Sequence, residues 1–225
     1  MRMDYRCVVF DMDGVLFDSE SLVIQSWEMV AQAHGIPHVA EICHRCLGAN
    51  AAASKQMFLT FYGADFPYDT YKAEMSQKFW ENVEAGNLVL KSGVREILDF
   101  LELHHISTAI ASSTRKAVIQ RELAIFDLEK KFCKIIGGDQ VHHSKPHPEI
   151  YQKACAALDV SPSLAIAIED SYNGIRSAHD AGMQAIMIPD LLPPTEEILP
   201  LTAGVYPSLA ALQTFLEGEN QNADL

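Results

Sequence analysis

Cys7-Val8-Val9-Phe10-Asp11-Met12-Asp13-Gly14 is the most informative run of the chain, because four apolar, β-prone residues lead directly into two carboxylates. A short buried strand that ends in acids places them at the carboxyl edge of a sheet, where open α/β folds build their sites. Gly14 frees the backbone to turn at this point. Asp11 and Asp13 can share one Mg²⁺ and still do different work, one attacking as a nucleophile and the other moving protons.

Three later segments repeat the pattern of a strand or loop that presents polar side chains. Thr108–Thr114 reads as a strand ending in hydroxyl residues, and Ser144–Pro148 holds a lysine between prolines before a helix. Ala165–Ser171 is another apolar strand ending in an acid pair, with Gly174 shortly after it. The chain therefore offers a nucleophile, a hydroxyl, a lysine and an acid pair, in that order.

These four motifs, in this order and at roughly this spacing, resemble those of the haloacid dehalogenase superfamily, in its phosphatase and phosphomutase branch. The local runs D-M-D-G-V-L-F-D-S-E, S-K-P-H-P-E-I-Y and I-E-D-S-Y-N-G-I are most similar to the group of small sugar-phosphate phosphatases and β-phosphoglucomutases. The resemblance extends from Val8 to about Pro189. Each motif alone is weak evidence for the family, whereas the four motifs in this order are specific to it.

The resemblance implies the roles of the catalytic residues. Asp11 is expected to attack phosphorus and form an aspartyl-phosphate, and Asp13 to act as general acid and then general base. Ser112, Ser113 and the chain just after them are expected to bind the phosphoryl group at a strand-to-helix turn suited to anions. Lys145 is expected to pair with both Asp11 and the phosphoryl group.

The same resemblance implies a Mg²⁺ cofactor, and Mg²⁺ prefers hard oxygen ligands in octahedral geometry. The expected ligands are Asp11, the backbone carbonyl of Asp13, and the acid pair Glu169 and Asp170. Asp170 is the firmer assignment of the pair, whereas Glu169 binds either directly or through water.

Composition excludes several classes of partner. Seventeen basic residues against thirty acidic ones give a formal net charge of −13, which disfavours nucleic acid and anionic membranes. Five cysteines fit a reducing compartment, and the N-terminal apolar run is too short for a signal sequence or a membrane span. We expect a cytoplasmic protein that acts on a small phosphorylated metabolite, as a monomer or weak dimer.

Alternating strand and helix patterns predict a Rossmann-like parallel sheet with helices on both faces. Residues 17–88 carry helical periodicity without a clear alternating strand, so they read as a helical cap inserted after the first strand. The catalytic core then comprises residues 1–16 and 89–225. Five strands are expected, the last at residues 185–188, and the polar tail 217–225 is expected to fray. The segment Asp18-Ser19-Glu20 is expected to open the first helix by N-cap chemistry.

Hydrolysis and phosphomutase action both fit the motifs, and details of the cap favour hydrolysis. In β-phosphoglucomutases a histidine of the first cap helix and an arginine of the cap loop take part. The histidine position falls near Val23, and the loop Leu47–Ala53 contains no arginine. Dehalogenase action is disfavoured because that branch does without Mg²⁺ and lacks the second acid.

Two interpretations from other functional classes, a receiver-like domain and a non-catalytic binding protein, are less well supported by the sequence. A receiver-like phospho-acceptor domain also combines acids, a hydroxyl and a lysine around Mg²⁺. Receivers are about half this length, however, and place their acid pair before the hydroxyl and the lysine. A non-catalytic binding protein would be expected to show degraded motifs, and none is seen here.

Overall fold

A computed structural model describes residues 5–221, with side chains described for residues 5–218. Over that range the chain forms one six-stranded sheet and nine α-helices. The strands are β1 Cys7–Phe10, β2 Ser107–Ser112, β3 Lys134–Gly137, β4 Ala165–Glu169, β5 Gln184–Met187 and β6 Gly204–Val205. The helices are α1 Ser19–His34, α2 Val39–Arg45, α3 Ala51–Tyr62, α4 Tyr68–Glu84, α5 Val94–Leu103, α6 Lys116–Ile125, α7 Glu149–Leu158, α8 Tyr172–Asp180 and α9 Leu209–Gln221.

All neighbouring strands of the sheet are parallel, in the order β3-β2-β1-β4-β5-β6. The chain moves outward from β1 to β3 and then returns to place β4 on the other side of β1. Such a reversal opens a crevice at the carboxyl ends of β1 and β4, the usual binding position in open α/β sheets. The predicted fold class is confirmed.

The core unit is closed on both faces because its strands are apolar throughout. Cys7 and Val9 pack with α7 and α8 in one buried cluster, whereas Val8 and Phe10 alternate to the opposite face. On that opposite face the ring of Phe10 lies edge-on to Phe132, with centroids 6.0 Å apart. This two-sided burial is typical of a parallel sheet and fixes the positions of the strand ends.

The chain divides into two compact units. One comprises the chain up to Leu16 and from Lys91 onward, and the other is Phe17–Leu90. The second unit contains α1 to α4 around an aromatic centre, where Phe58 lies 4.6 Å from Trp27 and 5.1 Å from Tyr68 between ring centroids.

Three sequence expectations about chain ends and caps were wrong. The sheet has a sixth strand, β6, beyond the five expected. The tail expected to fray at residue 217 instead continues α9 to residue 221, and residues 222–225 lie outside the described residues. α1 begins at Ser19, but Asp18 makes no side-chain capping bond; the buried side chains of Leu22 and Trp27 contribute to the packing of that helix. Among residues 5–221, every helix is too short or too polar to cross a lipid bilayer.

Candidate active site

The register of the three central strands brings the predicted residues to one edge. Phe10 pairs with Ile110 of β2 and with Ile168 of β4, so the next residue, Asp11, lies level with Ala111 and Glu169. The amide of Asp11 donates to the Ile168 carbonyl at 2.9 Å, which extends the ladder by one residue. The first acid is therefore held by backbone bonding, and its side chain is buried.

Lys145 enters this edge from the connection between β3 and α7. Its Nζ lies 2.9 Å from Asp11 Oδ1, and it donates to Glu169 Oε1 at 2.5 Å and to the Ala111 carbonyl at 2.9 Å. The Tyr151 ring centroid is 5.1 Å from the same nitrogen. Because the lysine side chain is only 2% exposed, these contacts replace its hydration and hold the ammonium group in one position.

The electrostatics of the edge follow from this burial. Burial alone would lower the pKa of Lys145, but the carboxylates of Asp11 and Glu169 outweigh it and raise the pKa, so the lysine stays charged. Burial, followed by the charge on Glu169, raises the pKa of Asp11 to about 7 against the opposing effect of Lys145. Additional positive charge at this edge would lower that value and keep Asp11 ionised at neutral pH.

Both carboxylate oxygens of Glu169 accept hydrogen bonds from protein groups. Its Oε1 also accepts the Tyr151 hydroxyl at 2.6 Å, and its Oε2 accepts the Ser171 hydroxyl at 3.2 Å. A Cβ at Gly174 would lie 2.0 Å from each of these oxygens, so the first turn of α8 can approach the carboxylate only because residue 174 is glycine. Glu169 is thereby fixed in position and in turn holds the Lys145 ammonium group through their hydrogen bond.

Asp13 occupies a more open setting than Asp11. It is half-buried, and its Oδ2 accepts the Thr114 hydroxyl at 2.8 Å. The Ser112 hydroxyl is more distant from Oδ2, at 3.5 Å, and accepts the Thr114 amide at 3.0 Å. Ser113 is half-buried and lies between them. The two acids of the D-x-D motif therefore have different partners, a lysine for the first and a hydroxyl for the second.

The donor set at this edge fits a hard divalent cation. Asp11, Glu169 and Asp170 are all buried, and each offers a carboxylate oxygen within 4.8 Å of the others. One lysine faces these three acids, so the set carries net negative charge that a cation would neutralise. Gly14, at φ +75°, leaves room for the group, because a Cβ there would lie 2.3 Å from Asp170 Oδ2. Oxygen-only ligands suit Mg²⁺ better than a softer metal.

Two residues that contact the acids of the site, Thr114 and Tyr151, have no role predicted from the sequence. Thr114 was visible only as the last hydroxyl of the β2 segment, and no spacing rule shows that it reaches Asp13. Tyr151 reads as a core aromatic of α7, and it is fully buried. The signal for its hydroxyl was indirect, since a buried tyrosine needs a hydrogen-bond partner.

A buried acid on α6, Glu122, is expected to make stability depend on pH. It is 2% exposed, and burial, with a smaller effect of Asp13, raises its pKa to about 9. The folded protein then binds a proton that the unfolded chain releases above about pH 4.5. Stability contributed by this group is therefore lost as pH rises from about 4.5 to about 9, by at most about 1.4 kcal/mol per pH unit.

Glu122→Gln should remove that dependence, because the amide is neutral throughout. Urea unfolding at several pH values should show the variant more stable than the parent at pH 8, with the difference vanishing near pH 4.5. Glu129→Gln, an exposed glutamate in the same connection, is the control and should follow the parent. Parallel pH curves for the parent and Glu122→Gln would refute the assignment.

Comparisons with known proteins identify the relatives of this chain. A family model described as haloacid dehalogenase-like hydrolase matches residues 8–188. The chain is 32% identical over 181 residues to a phosphorylated carbohydrates phosphatase of Thermotoga maritima, covering 80% of this chain and 83% of that relative. It is 33% identical over 190 residues to a β-phosphoglucomutase of Bacillus subtilis, covering 80% and 82% of the two chains.

Among solved structures, CbbY from Rhodobacter sphaeroides in complex with phosphate matches with a TM-score of 0.77 and 25% identity. That match covers 92% of this chain and 96% of CbbY. The protein therefore belongs to the haloacid dehalogenase-like hydrolase family, in agreement with the resemblance of its four motifs.

Proposed function

We propose that this protein is a Mg²⁺-dependent phosphatase that hydrolyses small phosphorylated metabolites, in particular sugar phosphates, through an aspartyl-phosphate on Asp11. The observation that carries the proposal is that Asp11 and Asp13, the two acids of the D-x-D motif, have different surroundings. Asp11 is buried against an ammonium group that can also neutralise a phosphoryl oxygen, whereas Asp13 is half-buried beside a hydroxyl. The first setting suits a nucleophile and the second a group that exchanges protons.

In the first step a carboxylate oxygen of Asp11 attacks phosphorus, and the bond from phosphorus to the ester oxygen breaks. Asp13 gives its proton to that departing oxygen, so the product leaves as an alcohol rather than an alkoxide. Lys145 pairs with a phosphoryl oxygen while it still contacts Asp11, which reduces the repulsion between the two anions. Ser112, Ser113 and the amides after them complete the phosphoryl site at the end of β2.

In the second step water attacks phosphorus and the bond to Asp11 breaks. Asp13, now ionised, takes a proton from that water, and inorganic phosphate leaves with both acids restored to their starting states. The Thr114 hydroxyl holds the Asp13 carboxylate in one orientation through both transfers. The half-exposed position of Asp13 supports this exchange of protons with substrate and water.

Asp11, the Asp13 carbonyl and Asp170 would hold the Mg²⁺, and Glu169 would contribute directly or through water. When bound, the ion supplies positive charge that offsets the anionic phosphoryl group and the acids around it. The three protein contacts of Glu169 support a second duty for this residue, that of holding Lys145 in place.

We propose further that the unit Phe17–Leu90 acts as a cap that selects the substrate. Its segment Leu47–Ala53, a loop that continues into the first three residues of α3, carries no cationic side chain. The one amide of that loop, Asn50, caps α3 by accepting the Ala53 amide at 2.8 Å. Such a loop has little to offer a second phosphate, so small monophosphates should be preferred over bisphosphates. The named activity of the Thermotoga maritima relative on phosphorylated carbohydrates supports a sugar phosphate as substrate.

The choice between hydrolysis and phosphomutase action can be tested in one incubation. The protein is mixed with β-glucose 1-phosphate, Mg²⁺ and a trace of glucose 1,6-bisphosphate, and the products are measured over time. We expect free phosphate without glucose 6-phosphate, because nothing in the loop Leu47–Ala53 favours return of the phosphoryl group to a sugar phosphate.

Asp11→Asn, purified in the same way, controls for contaminating phosphatases and should release nothing. Sustained formation of glucose 6-phosphate with little free phosphate would instead establish a phosphomutase. If glucose 1-phosphate is inert, a phosphate-release screen over small phosphorylated metabolites identifies the preferred ester, and a fully negative screen would refute the phosphatase.

A further inference from the structure

A further carboxylate, Asp190, lies just beyond β5 at the same edge of the sheet. Its Oδ1 accepts a hydrogen bond from Lys91 Nζ, and its side chain is only 10% exposed. Its second oxygen, Oδ2, is buried and has no hydrogen-bond partner among the described residues. Burying a carboxylate oxygen without a hydrogen-bond partner costs free energy, so we expect a ligand to contact this oxygen.

The unsatisfied oxygen points toward the predicted cation site. A Cβ added to Gly14 would lie 2.3 Å from Asp170 Oδ2 and 3.3 Å from Asp190 Oδ2, so both carboxylates converge on the same glycine. One oxygen of each acid lies within 4.8 Å of the other. Two carboxylates this close repel each other unless positive charge or a water molecule lies between them.

We propose that Asp190 is a positioning residue for the divalent cation, accepting a hydrogen bond from a water molecule of its hydration shell. Mg²⁺ in proteins usually keeps several waters, and acids that orient such outer groups commonly change metal affinity 10- to 100-fold, to order of magnitude. The inference rests on the proposed function only in placing a cation at this edge. It adds Asp190 to a site that the four motifs define without it.

A purely structural role for Asp190 predicts something different. If Asp190 served only to pair with Lys91, removal of either partner would break the same ion pair with the same consequence. If Asp190 also serves the cation, the two removals diverge. Asp190→Ala deletes the acceptor, whereas Lys91→Met keeps it and takes away a competing positive charge. Lys91 therefore offers a matched partner for the test.

Mg²⁺ affinity of the full-length protein, measured by calorimetry without substrate, separates these roles. Asp190→Ala should raise the Kd about 10- to 100-fold, and Asp190→Asn, which keeps an acceptor oxygen without the charge, should raise it less. Lys91→Met should leave the Kd unchanged or lower it. Asp99→Ala is the control, because it removes an exposed acid paired with Lys131 and changes the net charge equally. It should bind Mg²⁺ like the parent.

Thermal unfolding of each variant shows whether it is folded, and the isosteric Asp190→Asn keeps the test valid if the alanine variant is not. Parental affinity in the folded Asp190 variants would overturn the proposal, as would an equal loss in Lys91→Met or a parent that binds no Mg²⁺. A parent that binds Mg²⁺ normally but hydrolyses no monophosphate would refute the phosphatase while leaving the role of Asp190 decided by the same titration.

Discussion

Replacing Asp11 with asparagine is expected to abolish phosphate release and to leave the protein folded. The lone pair of the amide nitrogen is delocalised into the carbonyl, and the amide oxygen is too weak a nucleophile to displace an alkoxide from phosphorus. Glu169 still pairs with Lys145, so the ammonium group keeps one carboxylate partner. Because burial raises the pKa of Asp11 to about 7, a neutral side chain of the same shape suits its surroundings. Stability should therefore be maintained.

The measurement is a steady-state assay of phosphate release, with urea unfolding run on the same preparation. Asp127→Asn provides the matched control, since that acid is exposed in the connection after α6, at φ +57°, a conformation that asparagine tolerates. The control should retain parental turnover. Turnover near the parental rate in a folded Asp11→Asn protein would exclude an aspartyl-phosphate on this residue.

The sheet could be predicted from sequence because its strands are apolar on both faces. Cys7–Phe10 and Ala165–Ile168 are runs without polar residues, which only a covered parallel sheet explains well. Parallel strands share one carboxyl edge, so the residues that follow each run could be expected to meet there. Local sequence patterns and the general topology of parallel sheets are therefore sufficient to predict the sheet and the edge at which these residues meet.

Other features depend on contacts that no local pattern encodes. β6 is only two residues long, Gly204–Val205, and a glycine-valine pair has no periodicity to detect. The last helix continues to Gln221 because Leu212 and Leu216 are buried, and the polar residues beyond them continue the turn. Tertiary burial there outweighs the polar composition that suggested fraying.

The candidate active site, like the fold, can be predicted only in part from local sequence patterns. Motif order indicates which residues share an edge, but not which atoms touch. Thr114 reaches Asp13 across 101 positions of sequence, and Tyr151 on α7 reaches Glu169 across 18 positions. Lys91 and Asp190 are 99 positions apart and lie outside the four motifs. Their contacts arise only when strand register and helix packing are both set.

Asparagine at position 13 is expected to lower turnover roughly 10²–10⁴-fold, the usual contribution of a positioned acid–base group. Metal binding should persist, because the proposed contribution of residue 13 to the cation is its backbone carbonyl. The Thr114 hydroxyl can donate to the amide oxygen as it does to the carboxylate, so the side chain should keep its position.

The dependence of this loss on the leaving group distinguishes a proton donor from a merely structural residue. An ester with an acidic leaving group, such as p-nitrophenyl phosphate, needs little help in the first step but still needs a base to activate water in the second. Asp13→Asn should therefore release one equivalent of p-nitrophenol rapidly and then turn over slowly, with phosphate held on Asp11. With a sugar phosphate the same variant should show no burst, because the first step itself is slow. An equal loss for both esters without a burst would mean that Asp13 shapes the site and does not transfer the proton.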